Sequence, residues 1–304
     1  GQIKDVNESR NALATCETKI TDLESQGLYH FAEANYLLAS GYLSKAAVQL
    51  HYAEEAFMES DNRIMGVASK LELARIGLLA NQIFKAQELL DDALSSIKQT
   101  EIPRQEAVLY SLFAQVNWEL NSPSKANIYL SKSNAIAREL GIEDVLTQNN
   151  LLFAQFAVEL KNIQQAQQML ESVEPKGQLE LIEVDLMRGS IEAARGEHAK
   201  AAEILSTLKT KANDLGYGVI EVKALEQLIR VNKKMGELSA LIQSEQELNN
   251  ARDEYQYTKP MAAYEEVKQI SQANKKEVYQ EITDTKNELE GVRFKNNRII
   301  TYSA

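Results

Sequence analysis

Four alanines stand at forty-residue intervals along the chain, at Ala46, Ala86, Ala126 and Ala166. Four more keep the same step twelve residues earlier, at Ala34, Ala74, Ala114 and Ala154, and the pair Gly189 and Ala201 follows after a shorter interval. A fixed period of this length marks a repeat architecture, in which each unit cannot bury its apolar face alone and neighbours must stack. A leucine falls four residues after each alanine of the second series, at Leu50, Leu90, Leu130, Leu170 and Leu205. That i,i+4 spacing puts alanine and leucine on one helix face. A side chain larger than alanine would push two closely crossing helices apart, so the small residues mark where the helices touch.

The spacing therefore predicts antiparallel pairs of amphipathic helices. The first pair is expected at 28–40 and 43–59, the second at 64–80 and 83–99, and the third at 105–120 and 124–139. The fourth follows at 144–160 and 163–173, and the fifth at 179–195 and 197–213. Abundant Ala, Leu, Glu, Gln and Lys favour helix, and four prolines with thirteen glycines leave little material for turn-rich β structure. A sixth pair at 219–235 and 238–249 keeps Gly236 in step with Gly196 but puts Ile229 and Leu241 in the small-residue slots. Terminal repeats are atypical because one face meets solvent, so this pair reads as a degenerate cap. The predicted organisation is a capping helix in 1–26, five pairs in 27–216, the degenerate pair in 217–257 and a long helix in 258–304.

In this register the chain resembles the tetratricopeptide repeat family. The turn between paired helices holds Gly41, Asn81, Asn121, Lys161 and Gly196, and a second small residue appears as Ala53 and Ala93. The resemblance covers about two-thirds of the chain. It implies an all-α, right-handed superhelical solenoid with a long C-terminal helix. The family's usual aromatic is replaced by His30, Lys70, Tyr110, Asn150 and Asp185, and its proline is missing. A forty-residue step exceeds the family's 34 and is similar to the longer-repeat branch seen in bacterial sensors and regulators.

Composition excludes several functions. A net charge of −11 without a clustered basic face argues against nucleic acid as a partner. The single cysteine, Cys16, rules out an internal disulfide and is expected to pack in the capping helix. His51 with Glu54 and Glu55 has helical metal-ligand spacing but lacks a third ligand, so a solvated helix face is expected and no metal or cofactor is called. No phosphate loop, dinucleotide fingerprint or nucleophile–base constellation occurs, and the chain is not read as an enzyme. No signal peptide or run of eighteen apolar residues is seen, which leaves a soluble chain of cytoplasmic or periplasmic location.

From Pro260 onward one long helix is expected, with apolar residues at Met261, Tyr264, Val267, Ile270, Val278, Ile282, Leu289 and Val292. Ser271 and Lys275 interrupt this stripe. A homodimeric coiled coil through 258–304, a helix folded back on the repeats, and a link to a membrane span outside this chain all fit. Arg293, Lys295 and Arg298 before Ile299 and Ile300 suit the edge of such a span, but an ordinary frayed chain end is the preferred reading of them.

The resemblance also implies that the first helix of each pair lines a concave groove. One position per repeat gives Asn35, Arg75, Gln115, Gln155 and Ser190, a ladder of hydrogen-bonding groups suited to an extended peptide backbone. Neighbouring positions give Phe31, Leu71 and Trp118 as apolar contacts, although packing within the repeats explains such residues as well. The family's carboxylate clamp needs cations where this chain has Phe31, Val108 and Leu112. The expected function is therefore a non-catalytic peptide- or protein-binding module, the sensor or regulatory part of a bacterial signal-transduction protein. The alternative is a structural scaffold that dimerises through its C-terminal helix.

Overall fold

In the computed structural model the backbone is described for residues 6–16, 20–255 and 260–302, and side chains for 11–16, 20–98, 101–255, 260–278, 280 and 282–283. Helix α1 spans Val6–Cys16. The pairs that follow are α2 (Leu23–Ala39) with α3 (Leu43–Glu59), α4 (Arg63–Leu79) with α5 (Ile83–Thr100), and α6 (Pro103–Glu119) with α7 (Pro123–Glu139). Next come α8 (Glu143–Glu159) with α9 (Ile163–Glu171), α10 (Gln178–Arg195) with α11 (His198–Leu215), and α12 (Gly218–Met235) with α13 (Leu238–Glu254). Among the described residues there is no strand. The chain is an all-α solenoid of stacked helix pairs followed by a long helix, α14 (Pro260–Tyr302).

The backbone repeats at half the interval of the alanines. Left-handed residues fall every twenty positions at Gly41, Asp61, Asn81, Glu101, Asn121, Gly141 and Lys161, and the step resumes at Gly196, Gly216 and Gly236. At most of these turns the amide one residue further on donates back to a carbonyl five residues earlier. Examples are Tyr42 N to Leu37 O at 2.9 Å, Asn62 N to Phe57 O at 2.8 Å and Asn162 N to Ala157 O at 2.8 Å. This closing bond satisfies carbonyls that the helix end would leave orphaned, and it fixes the reversal angle. The break after Lys161 comes from α9, which has 9 residues where the other paired helices have 17 or 18.

Five of these left-handed sites are not glycine. A β-carbon there crowds the following carbonyl, at a cost of about 1–2 kcal/mol. Lys161 is exposed at φ 61°. Its replacement by glycine should raise stability by about 0.5–1 kcal/mol once the extra freedom of the unfolded glycine is subtracted. Urea denaturation would measure this gain.

The small residues lie at the helix crossings. Ala34, Ala46, Ala74, Ala86, Ala114, Ala126, Ala154, Ala166 and Ala201 are all fully or almost fully buried. Gly189 lies so close to Leu205 that a β-carbon would sit 2.7 Å from its Cδ2. Alanines from one pair and large side chains from the next build each core layer, as in the cluster of Ala114, Ala126, Leu130, Leu152 and Phe156.

The sixth pair departs from expectation. Rather than facing solvent as a cap, α12 buries eight residues and packs on the first pair as well as on its neighbours. Tyr36 and Ala39 of α2 pack on a cluster containing Tyr217, Ile220 and Ala224. Tyr42 meets the Tyr255 ring edge-on, with centroids 5.5 Å apart. Gly218 comes so near Ser40 that a β-carbon would fall within 2.9 Å of the Ser40 carbonyl carbon and 2.8 Å of Tyr255 Cζ. The Tyr255 hydroxyl donates to Glu221 Oε2 at 2.7 Å. Burial, then the Glu221 carboxylate, holds that phenol well above its ordinary range, so it remains a donor. The sixth pair thus returns to the first, and α2 to α13 form a closed ring of helices.

Two further expectations are corrected. Cys16, the last residue of α1, is exposed rather than packed. His51 is buried rather than solvated, since α3 is packed by both α2 and α4; its Nε2 lies 3.4 Å from Glu55.

The body of α14, from Tyr264 onward, forms a separate unit. Ile270, Val278 and Ile282 of its stripe are exposed. Leu289, Val292, Arg293, Lys295, Arg298, Ile299 and Ile300 lie outside the residues whose side chains are described. Among the described residues no helix is long and apolar enough to cross a membrane.

Candidate functional site

Closing the ring leaves a cavity of about 630 Å³ at its centre, within the ordinary range for ligand pockets. Its wall comes from the first helix of every pair: α2, α4, α6, α8, α10 and α12, with Tyr217 at the entry to α12. The apolar surface includes Leu38, Leu78, Val108, Leu112, Leu151 and Ile220. Polar groups are set between these residues at the helical spacing of the concave face.

The cavity gathers four of the eight residues expected from the sequence: Asn35, Arg75, Gln115 and Gln155. Among the described residues the side-chain amides of Asn35 and Gln115 have no hydrogen-bond partner, while Gln155 Nε2 donates to Glu159 at 3.1 Å. Arg75 is paired on its own helix, its Nε 3.0 Å from Glu72.

The other four lie off the cavity wall. Ser190 donates to Gln227 at 2.8 Å, so this rung is tied to the neighbouring helix α12. Leu71 is buried in the core, and Phe31 packs edge-on against Phe57 with centroids 6.4 Å apart. Trp118 stacks on Phe156 at 3.9 Å and its indole N–H donates to Glu159. A large aromatic satisfied on face and edge serves the packing between α6 and α8.

The cavity also holds charges that the expected ladder omits. Lys223, Glu183 and Gln148 line it from α12, α10 and α8. They occupy the same position of successive repeats, two turns before the ladder position, so the register itself carries the signal that locates them. Gln148 Nε2 donates to Glu183 at 2.8 Å. Burial, then Arg75, pushes the Lys223 ammonium below its ordinary value, against the opposing pull of Glu183 and Glu226. Glu119, at the other end of the wall, has its carboxyl raised by burial and then by Glu159. The acidic lining residues are Glu72, Glu119, Asp144, Glu180 and Glu183, and the basic ones are Arg75 and Lys223. Among the described residues no group of three or more side chains is arranged to hold a metal ion.

No protein-family model and no curated protein matches the chain. Among solved structures it is similar to a Rap protein complexed with competence and sporulation factor, with a TM-score of 0.59 and 14% identity. The match covers 84% of this chain and 70% of the Rap chain. At that identity the likeness is one of fold.

Proposed function

We propose that the chain is a non-catalytic peptide-binding module, the sensing or regulatory part of a signalling protein, and that the ring cavity is its binding site. The observation that carries this reading is the pair of unbonded amides, Asn35 and Gln115, on a wall built from six equivalent helices. A side-chain amide donates and accepts at once, which matches the alternating groups of an extended peptide backbone. Leu38, Leu78 and Leu151 supply apolar surface beside them. The fold is that of a Rap protein whose solved structure holds competence and sporulation factor, which supports a regulatory role for the same architecture here.

A degenerate hexapeptide pool equilibrated with the full chain, with retained species read by mass spectrometry, tests the proposal. Wild-type protein is expected to enrich a subset of sequences. The variant carrying both Asn35→Ala and Gln115→Ala should lose that enrichment by roughly tenfold or more, the effect of removing two hydrogen-bonding partners, with unchanged circular dichroism. Absence of any enrichment by wild type would refute peptide binding.

A further inference from the structure

Lys223 is the cavity cation without a partner. Among the described residues it makes no hydrogen bond or ion pair. The carboxylates around it are each engaged elsewhere. Glu183 accepts from Gln148 at 2.8 Å, Glu226 is held by Arg252 at 2.7 Å, and Glu72 pairs with Arg75 at 3.0 Å. Glu183 and Glu226 act on the Lys223 ammonium without bonding to it, and an ammonium group drawn out of bulk water with no directly bonded counter-charge is unfavourable, a cost that an incoming anion relieves. Its placement on the wall makes the ammonium reachable from the cavity.

The size of the missing charge is also constrained. The lining carries five carboxylates against two cations, so a polyphosphate or other polyanion would meet net repulsion. One negative charge directed at Lys223 is tolerated, provided the rest of the ligand is neutral or basic. The tetratricopeptide clamp positions, Phe31, Val108 and Leu112, bring no cation here, and the sixth pair brings one instead.

We infer that Lys223 anchors a single carboxylate of the bound peptide, supplied either by its C-terminus or by an acidic side chain. This inference rests on the peptide-binding reading and identifies the charged end of the ligand. The closed ring gives the anchor its place, since α12 completes the cavity wall that carries Lys223 only because the sixth pair returns to the first.

Three hexapeptide pools separate the sources. One has free C-termini and lacks Asp and Glu. The second has amidated C-termini and also lacks Asp and Glu. The third is amidated but includes Asp and Glu. Full-length wild type should retain the first or third pool at least about tenfold better than the carboxylate-free second, in keeping with a charge-assisted bond. Whichever of the two is retained identifies the source of the carboxylate. Lys223→Met, which keeps the aliphatic stem, should abolish this preference, and Lys223→Arg should keep most of it. Equal retention of all three pools by wild type would overturn the anchor while leaving peptide binding intact. A preference that survives in Lys223→Met would also overturn it. Retention of no pool would remove both readings together.

Discussion

Replacing Gly218 by valine is expected to open the ring. Gly218 is the first residue of α12 and has no positive φ, so valine meets no backbone penalty there. The conflict is steric: the first added carbon would already sit 2.8 Å from Tyr255 Cζ and inside the contact distance of the Ser40 carbonyl. A carbonyl at the end of α2 is backbone and cannot rotate away as a side chain would. The first and sixth pairs must then separate, exposing Tyr36, Tyr42 and Tyr255, with a loss of about 2–3 kcal/mol typical of overpacking. Small-angle scattering should report a larger radius of gyration, and the thermal midpoint should fall. Gly177→Val is the matching control, because a β-carbon there meets nothing within 4 Å. An unchanged scattering profile for Gly218→Val would show that the two ends are not joined in solution.

Ala126→Leu should be comparably damaging at a site far from the seam. Ala126 is fully buried where α7 crosses its neighbours, enclosed by Ala114, Leu130, Leu152 and Phe156. Three extra carbons have no void to enter, so α6 and α8 must move away from α7. The expected cost is about 3 kcal/mol, the upper end for a crowded core. Ala135→Leu, on the exposed side of the same helix, should change stability by less than about 0.5 kcal/mol. Urea denaturation of the two variants measures the difference. Equal stability would mean that the alanine period has no role in spacing the helices.

The difference between these two sites also explains how far the chain could be read without a structure. Ala126 was legible because close helix crossing is a local demand that only a small side chain meets, and the demand recurs at every repeat. The turns were half legible. Gly41 and Asn81 announce themselves by residue type, whereas Asp61 and Glu101 adopt the same left-handed backbone without a distinctive side chain. Trp118 shows a different gap. Its size suits a ligand contact or an inter-helix stack equally, and only the position of Phe156 decides. Lys223 falls at a readable repeat position but belongs to the pair taken for a cap. What reclassifies that pair is the contact between Ser40 and Gly218, which depends on small rotations accumulated over six pairs. No single residue encodes such a sum.

That contact has a kinetic consequence. Nearly every other contact in the repeats joins a helix to a neighbour a few tens of residues away, so assembly can start at any pair and spread by short steps. The join between Ser40 and Gly218 is different, since the ends must find one another across nearly 180 positions. In an unfolded chain that search carries the full entropy of closing a long loop. Once the intervening pairs have stacked, they hold the two ends in approach and most of that entropy has already been lost. The join therefore forms last on the way in and breaks first on the way out. The cavity comes into being only at this final step.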